Sequence, residues 1–473
     1  MFYIPDNYII DFIKKKFKSY PEKIYPLNAN ASNRIYYRFF INNKSYILTI
    51  NNNIEENKSF FYVQNFLKKN SINVPDIYFI SKNKKIYIQQ DLGNTTLCQY
   101  CNKFANKPEE ILNIYKKVVL DLIKIQNLPL IKFNSNKFFQ VKSFNKKTIF
   151  FDLNYFKYFF LKLFQIPFNE IKLEKDFNKL TSLLIKPRKN FFVYRDFQSR
   201  NIILFEDKLY YIDFQGARRG SLYYDIASLL YDSKVNLNYN LKIKLLKYYY
   251  ENNNLINNDF DEFLQYFFIY SLFRKLQSFG TYGFRGKFEN KIYFLQSIPT
   301  AIKNVNEILN NIQCNLPEIK SIFSYLHNNI ENFCHKNECN NLSLNIISFS
   351  YKEGIPKDNN GHGGGYVFDC RLLPNPAKIP ELSIYDGTSL IIHSFFSYFP
   401  EVSDFINQAC KIVSKSIENY ITRNFNSLTV CFGCTGGIHR SVYCAEKFAE
   451  IIKKIYPIKI SINHTKLGII KEL

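Results

Sequence analysis

The stretch "YRDFQSRNIILFEDKLYYIDFQG", residues 194–216, decides how the first part of this chain is read. Two β-branched and aromatic runs flank the polar turn Glu206-Asp207-Lys208, the pattern of a hairpin. Asn201 stands six residues before Asp207, and Asp213 six after it. Residues equidistant from a turn face each other across an antiparallel pair, with Cα atoms about 4.5–5.5 Å apart. The spacing therefore predicts an amide and a carboxylate together at the open end of the ribbon, with Asp196 on the loop that enters it. Two oxygen-bearing side chains at one point suit a Mg²⁺ ion carrying phosphates. A separate carboxylate nearby can accept the proton of an attacking hydroxyl. These are the parts phosphoryl transfer needs, because its transition state asks for positioning and charge neutralisation. The competing reading is that Asp196 and Asn201 only cap turns, as their residue types often do.

Upstream, "IYYRFFI" and "SYILTIN" are strand-like runs split by the turn signal "NNK", and "IYFIS" and "IYIQQ" flank "KNKK" as a second hairpin. "NKSFFYVQNFLKK" between them has helical spacing. After "DLGNTT" come helical stretches at 109–126, 155–164 and 242–250. A small β-rich lobe followed by a larger helical lobe is the order of a protein-kinase-like fold. The predicted domains are a β-rich lobe over 1–90, a helical lobe over 91–316, a linker helix over 317–340, and a compact α/β domain over 341–473.

"YRDFQSRNIILF…YYIDFQGARRGSLYYDIASLL" resembles the aminoglycoside phosphotransferase family, and within it the amino-sugar kinase branch. The family's H-x-D-x-x-x-x-N pattern is present with Tyr194 in place of His. The resemblance implies ATP and Mg²⁺ as cofactors, Asp196 as catalytic base, Asn201 and Asp213 as Mg²⁺ ligands, and Asp225 as a brace for the catalytic loop. "NANASNRIYYRF" is similar to the family's nucleotide-covering loop, which places Ser32, Asn33, Arg34 and Arg38 at the nucleotide; "QQDLGNTTL" is similar to the hinge between lobes. Kinases set a Lys on the third strand against the phosphates. Here "SYILTIN" carries none, only Lys44 precedes it, and Glu56 on the following helix lacks an evident mate; Arg34 or Arg38 is the substitute on offer. A non-catalytic adaptor that binds nucleotide and RNA is the alternative. For the acceptor, Arg218, Arg219 and Arg285 are candidate contacts or, equally, surface salt-bridge partners.

Near the C-terminus stands "TVCFGCTGGIHRSVYCAEKFAEII". A strand runs into a glycine-rich loop and then a helix, where backbone N–H groups and the helix dipole favour an anion. Cys434 and Arg440 also fit the C-x5-R spacing of cysteine phosphatases, in which a thiolate attacks phosphorus. "SFSYKEGIP", "YVFDCRLLPNP" and "GCTGGIHRSVYCAE", in that order, resemble the C-terminal domain of the RapZ family, RNase adaptors tied to amino-sugar metabolism. The resemblance implies a sugar-phosphate site formed by Asp369, Arg371, Cys434, Thr435, Gly436, His439 and Arg440, with His464 at the position of a family His/Arg pair. It also implies RNA as a partner. The Walker-A motif of the domain that precedes this module in the family is not found here, and "GHGGGY" at 361–366 reads as a flexible turn or, alternatively, as a loop that could close over a ligand.

Composition sets limits on partners. The chain of 473 residues carries a net charge of +23, but residues 341–473 hold only 14 Lys+Arg against 11 Asp+Glu, and the remaining lysines are scattered. Scattered lysines read as a solvated face, which argues against RNA binding through clustered phosphate contacts. No apolar run is long enough for a bilayer and no signal peptide opens the chain. The expectation is a cytoplasmic protein, with reduced cysteines, no membrane partner, a sugar or amino sugar as acceptor, and a sugar phosphate bound at its C-terminal domain.

Overall fold

The computed structural model describes residues 7–27, 34–130, 133, 143–188, 190–289, 291–333, 340–356, 365–422, 425–456 and 458–473. The chain divides into two compact units, residues 16–334 and the described parts of 335–473 with those of 1–15. Among the described residues, no helix is long and apolar enough to cross a membrane.

After helix α1 (Asn7–Phe17), the first unit opens with an antiparallel sheet built from β1 (Lys23–Leu27), β2 (Ile35–Ile41), β3 (Lys44–Ile50), β4 (Ile77–Ile80) and β5 (Ile86–Gln90), in the order β1-β2-β3-β5-β4. Asn42 and Asn43 close the β2–β3 hairpin with positive φ (49° and 60°), which Asn tolerates better than most residues. Helix α2 (Ile54–Lys69) lies between β3 and β4, and the Asn53 side chain caps it by accepting the N–H of Glu56.

The helical lobe follows: α3 (Leu97–Lys103), α4 (Pro108–Gln126), α5 (Lys146–Phe156), α6 (Glu170–Leu184), α7 (Tyr223–Leu230), α8 (Tyr239–Glu251), α9 (Phe260–Thr281), α10 (Ile292–Leu295), α11 (Ile298–Asn311) and α12 (Pro317–Asn328). Helix α9 is buried on nearly every side and forms the lobe's axis. The Phe279 ring on α9 packs against the rings of Phe160 and Phe323 at 4.7 and 5.3 Å between centroids. Helix α12, expected as a linker, packs into this lobe through Ile319, Ile322, Phe323 and Leu326. Asp176 on α6 accepts the N–H groups of Glu318 and Ile319 at its first turn, where a helix has unsatisfied donors.

Between α6 and α7 lie two short ladders: β6 (Phe191–Val193) with β9 (Arg218–Gly220), and β7 (Ile202–Phe205) with β8 (Lys208–Tyr211). The predicted hairpin is β7–β8, but its turn is Glu206-Asp207 alone, both at positive φ. The register pairs Ile202 with Tyr211. Asn201 is therefore opposite Ile212, whose N–H donates to the Asn201 carbonyl at 3.0 Å, and Asp213 sits one residue further on than the spacing predicted.

The second unit is an α/β sheet of β10 (Asn340–Ser350), β11 (Tyr366–Asp369), β12 (Ser427–Cys434), β13 (Ile458–His464) and β14 (Ile469–Glu472), in the order β11-β12-β10-β13-β14. The first four strands in that order run parallel, and β14 is antiparallel to β13. Helices α13 (Pro380–Ser383), α14 (Leu390–Ser397) and α15 (Pro400–Thr422) connect β11 to β12, and α16 (Arg440–Ile455) connects β12 to β13. Strand β12 is buried from Leu428 to Cys434, which explains its unbroken apolar reading. Residues 361–364 of the glycine loop lie outside the described residues.

Candidate active site

Strand β6 delivers the chain into the loop that carries Asp196, and strand β9 takes it away from the loop that carries Asp213. Their pairing, Val193 with Arg218, holds the two loops side by side. Asp225 at the start of α7 is fully buried and its carboxylate accepts the N–H groups of Tyr194 (2.7 Å) and Arg195 (2.9 Å). Burial pushes its pKa up to about 7 against the pull of those two donors. Tyr194 donates its hydroxyl to the Ile212 carbonyl at 2.5 Å and so ties the Asp196 loop to the Asp213 loop.

A cleft of about 540 Å³ lies between the sheet and the helical lobe; Arg34, Asp91, Asn201 and Asp213 are among the residues that line it. That volume is within the range of small-molecule and cofactor sites. Asn201 donates Nδ2 to the Asp196 carbonyl at 2.8 Å, which leaves Oδ1 as the atom it can offer a cation. Asp213 takes a left-handed conformation (φ 68°) one residue beyond the partner of Asn201 in the hairpin. The two side chains share one cleft, and both present oxygen, the donor type Mg²⁺ takes. Among the described residues no cluster of three or more His, Cys, Asp or Glu side chains is placed to hold a metal unaided. Such a pair fits an ion that brings phosphate oxygens of its own.

Lys44 begins β3 at an exposed position opposite Ile41, and β3 supplies no other cation. Arg34, just before β2, is buried and places Nη2 3.0 Å from Glu56 Oε1 on α2. Burial works against its charge, but Tyr87, Tyr36, Glu56 and Asp213 outweigh that and raise its pKa. Glu56 thus has its mate, and the pair stands close enough to Asp213 for the two charges to interact. Phe60, one turn after Glu56, stacks on Phe214 at 4.9 Å, which docks α2 against the Asp213 loop. Arg38 behaves differently. It binds the hinge, with Nε 2.6 Å from Asp91 Oδ2 and Nη2 donating to Asp91 Oδ1 and the Gly93 carbonyl. Ser32 and Asn33 lie outside the described residues.

Asp196 keeps about a third of its side chain exposed, and Arg274 of α9 reaches it at 3.1 Å. Burial alone would raise its pKa, but Arg195, Arg274, Arg200 and Arg218 hold it below the ordinary carboxylate value. Sequence reasoning missed Arg274, Asp152 and Asp232. Asp232 accepts the Ser199 N–H and hydroxyl and braces the loop ahead of Asn201. All three lie in stretches that read only as helix or turn, so spacing carried no signal for them. Of the arginines read as acceptor contacts, Arg285 is paired with Glu289 at 2.7 Å, Arg219 donates to the Leu130 carbonyl, and Arg218 is buried.

In the second unit, β10 connects past β12 to β11, while β12 connects through α16 to β13 on the other side of β10. The C-terminal ends of β10 and β12 are therefore a topological switch point, where open α/β sheets bind ligands. Ser350 and Cys434 end these strands in register, and Ser350 Oγ donates to the Thr435 carbonyl at 2.8 Å. Thr435 and Gly436 are exposed, and Gly437 is left-handed (φ 71°) with its N–H on Cys434 Sγ at 3.2 Å. The other expected residues are more occupied. Cys434 is 2% exposed and also contacts Ser441 Oγ at 3.2 Å. Arg440 is buried and donates Nη1 to the carbonyls of Arg371 (3.0 Å) and Leu373 (3.3 Å). These two are therefore not arrayed as an accessible nucleophile and its clamp. Asp369 and Arg371 are bound to each other, with Arg371 lying over the Tyr351 ring. His439 is buried, with no hydrogen-bond partner at Nε2. His464 is fully buried between Ser348 Oγ (2.8 Å) and Glu446 Oε1 (2.9 Å), a structural placement.

Residues 342–468 match the family model of the RapZ C-terminal domain, so the resemblance read from the three C-terminal motifs holds. A nucleotide-binding protein of Thermotoga sp. (strain RQ2) is 39% identical over 118 residues, which are 25% of this chain and 40% of that protein. One from Agathobacter rectalis is 33% identical over 136 residues, 29% of this chain and 45% of that protein. The chain spans less than half the length of these curated relatives. Among solved structures, ADP-bound aminoglycoside phosphotransferase APH(2'')-Ib aligns with 65% of this chain and 98% of its own at 18% identity, TM-score 0.46. Choline kinase LicA from Streptococcus pneumoniae aligns with 64% of this chain and 98% of its own at 15% identity, TM-score 0.42.

Proposed function

We propose that residues 16–334 are an ATP- and Mg²⁺-dependent phosphotransferase acting on an alcohol group of a sugar or amino sugar in the cytoplasm. The observation that carries this reading is the grouping of Asn201, Asp213 and Arg34 in one cleft, with Arg34 paired to Glu56. Mg²⁺, when bound, would neutralise phosphate charge between Asn201 Oδ1 and the Asp213 carboxylate. Arg34 supplies the cation that strand β3 lacks. Asp196 is ionised at neutral pH and accepts the hydrogen bond, then the proton, of the attacking hydroxyl. The lost strand lysine was the feature that favoured a non-catalytic adaptor, and the Arg34–Glu56 pair removes that motive.

The second unit, in this reading, binds a sugar phosphate at the switch point formed by Ser350 and the loop from Thr435 to Gly437. It would report on product or pathway state to the same chain. The observation in favour is the exposed glycine loop at the ends of β10 and β12.

Transfer of labelled phosphate from ATP to a panel of hexoses and amino sugars tests the first unit. The full chain should label at least one acceptor with Mg²⁺ present, and Asp196→Asn should abolish it. Equal labelling by Asp196→Asn rejects the assignment. Calorimetry with glucosamine 6-phosphate tests the second unit, where binding that survives Gly436→Pro unchanged would reject the loop as its site.

A further inference from the structure

The surroundings of Asp196 carry more positive than negative charge. Three guanidinium groups, those of Arg195, Arg218 and Arg274, surround two carboxylates, Asp196 and Asp152. Arg274 is well satisfied: it donates to Ser228 Oγ (2.8 Å), Gln277 Oε1 (2.6 Å) and Asp196 Oδ1 (3.1 Å). Arg218 is not. Arg218 is 4% exposed, and its one hydrogen bond is a long 3.5 Å contact from Nε to the Gly216 carbonyl. Its guanidinium otherwise lies over the Phe144 ring at 4.9 Å. Arg195 has no hydrogen-bond partner at Nε, although Asp196, Tyr224 and Asp152 together favour its charge against burial, and its backbone is left-handed (φ 79°), a strained choice for a long side chain. A methyl group placed on Gly216 would sit 3.4 Å from Arg195 Nη1 and 3.7 Å from Asp196 Oδ2, so both side chains lie beside the Gly216 backbone. Among the described residues, neither Arg195 nor Arg218 forms an ion pair.

Burial, and next to it the charge of Arg195, lowers the Arg218 pKa to about 10. Asp152 is pushed up by burial and pulled down by the same three arginines, so it is a member of the cluster and not a distant counter-charge. Asp225 faces the backbone N–H groups of this loop and, with a pKa raised to about 7, supplies at most part of a charge near neutral pH. A buried guanidinium with so few partners is unfavourable unless an anion completes it.

We propose that the acceptor alcohol carries an oxyanion, a carboxylate or a phosphate, that docks on Arg218 and Arg195 beside Asp196. This rests on the phosphotransferase reading above and narrows its substrate class. A free amine would stand among three guanidiniums and is disfavoured. In the reaction, the acceptor oxygen forms its bond to the γ-phosphorus, the bond from that phosphorus to the bridging oxygen breaks, and ADP leaves with the electron pair. The hydroxyl proton passes to Asp196. The docked oxyanion takes no part in the bond changes and fixes which hydroxyl meets Asp196.

The test is a matched hexose series, glucose, glucosamine, glucuronate and glucose 6-phosphate, titrated into the full chain with Mg²⁺ and a non-hydrolysable ATP analogue. Glucuronate or glucose 6-phosphate should bind about tenfold or more tighter than glucose, and glucosamine most weakly. Preference for glucuronate alone identifies a carboxylate acceptor; preference for glucose 6-phosphate alone identifies a phosphate. Arg218→Gln should remove the preference and leave affinity for the ATP analogue unchanged, and Arg218→Lys should retain part of it. Should Arg218→Gln fail to fold by circular dichroism, the wild-type series and Arg218→Lys still decide. Equal binding of all four hexoses, binding of none, or a preference that Arg218→Gln leaves intact each overturns the proposal. If the ATP analogue binds while the hexose preference is missing, the phosphotransferase reading survives alone. If the analogue itself fails to bind, that reading falls as well.

Discussion

The Arg34 guanidinium stands 3.0 Å from the Glu56 carboxylate, on a segment that precedes β2 and not on β3. A buried cation is therefore paired with the first turn of α2 although β3 supplies none. Arg34→Met should weaken MgATP binding by about tenfold or more, since a charged contact to phosphate is lost and Glu56 is left without its mate. Arg34→Lys should recover much of that binding, because a point charge suffices for phosphate. Calorimetric titration of the two variants checks this; unchanged affinity in Arg34→Met would place Arg34 outside the phosphate site.

Arg38 is predicted to act on stability and not on phosphate. Its partner Asp91 is buried, and removing one member of a buried pair typically costs about 3–5 kcal/mol. Arg38→Met should lower the thermal midpoint by several degrees, and Arg38→Met with Asp91→Leu should recover most of the loss. A double variant no better than the single would mean the pair is not coupled.

Asp225 predicts a pH dependence of folding. Its native pKa is raised to about 7 above an ordinary value near 4, so the native state holds a proton that the unfolded chain releases. Its contribution to stability is full below about pH 4, falls as pH rises toward 7, and is level above that. Asp225→Asn should flatten this part of the curve by an amount on the order of a few kcal/mol. Denaturant titrations from pH 5 to 8 measure it; an unchanged slope would show that Asp225 is ionised throughout.

Glu446 predicts the opposite sign in the second unit. A hydrogen bond from His464 lowers its pKa most, with Lys471 adding to the effect, and the value falls to about 2. Its stabilising contribution is present above about pH 4.5 and is lost as pH falls toward 2. Glu446→Gln should make the acid unfolding of this unit less steep, read from circular dichroism between pH 5 and 2.

Most of the fold was legible because hydrophobic periodicity and turn chemistry agreed along the chain. The Asn42-Asn43 hairpin, the capped helix α2 and the unbroken apolar run of β12 each carried their own signal. The site was legible in its residue types but not in its geometry. The turn of the β7–β8 hairpin has two residues where three polar ones stand in a row, so the register moved by one and Asp213 lies one residue beyond its predicted pairing position, on a left-handed backbone. Arg274, Asp152 and Asp232 act through tertiary contacts between segments far apart in sequence, which no local pattern encodes. In the second unit the motif identified the loop, but burial shows that Cys434, Arg440 and His464 hold structure while Thr435 and Gly436 remain open.

The central claim is that Asn201 and Asp213 bind a divalent ion together with ATP in the cleft of the first unit. Titration of ATP into the full chain with Mg²⁺, and again with the ion chelated, measures it most directly, in wild type and in Asp213→Asn. The account predicts binding that depends on Mg²⁺ in wild type and loses that dependence in Asp213→Asn. Affinity for ATP that is the same with and without the ion, or that Asp213→Asn leaves untouched, would contradict it.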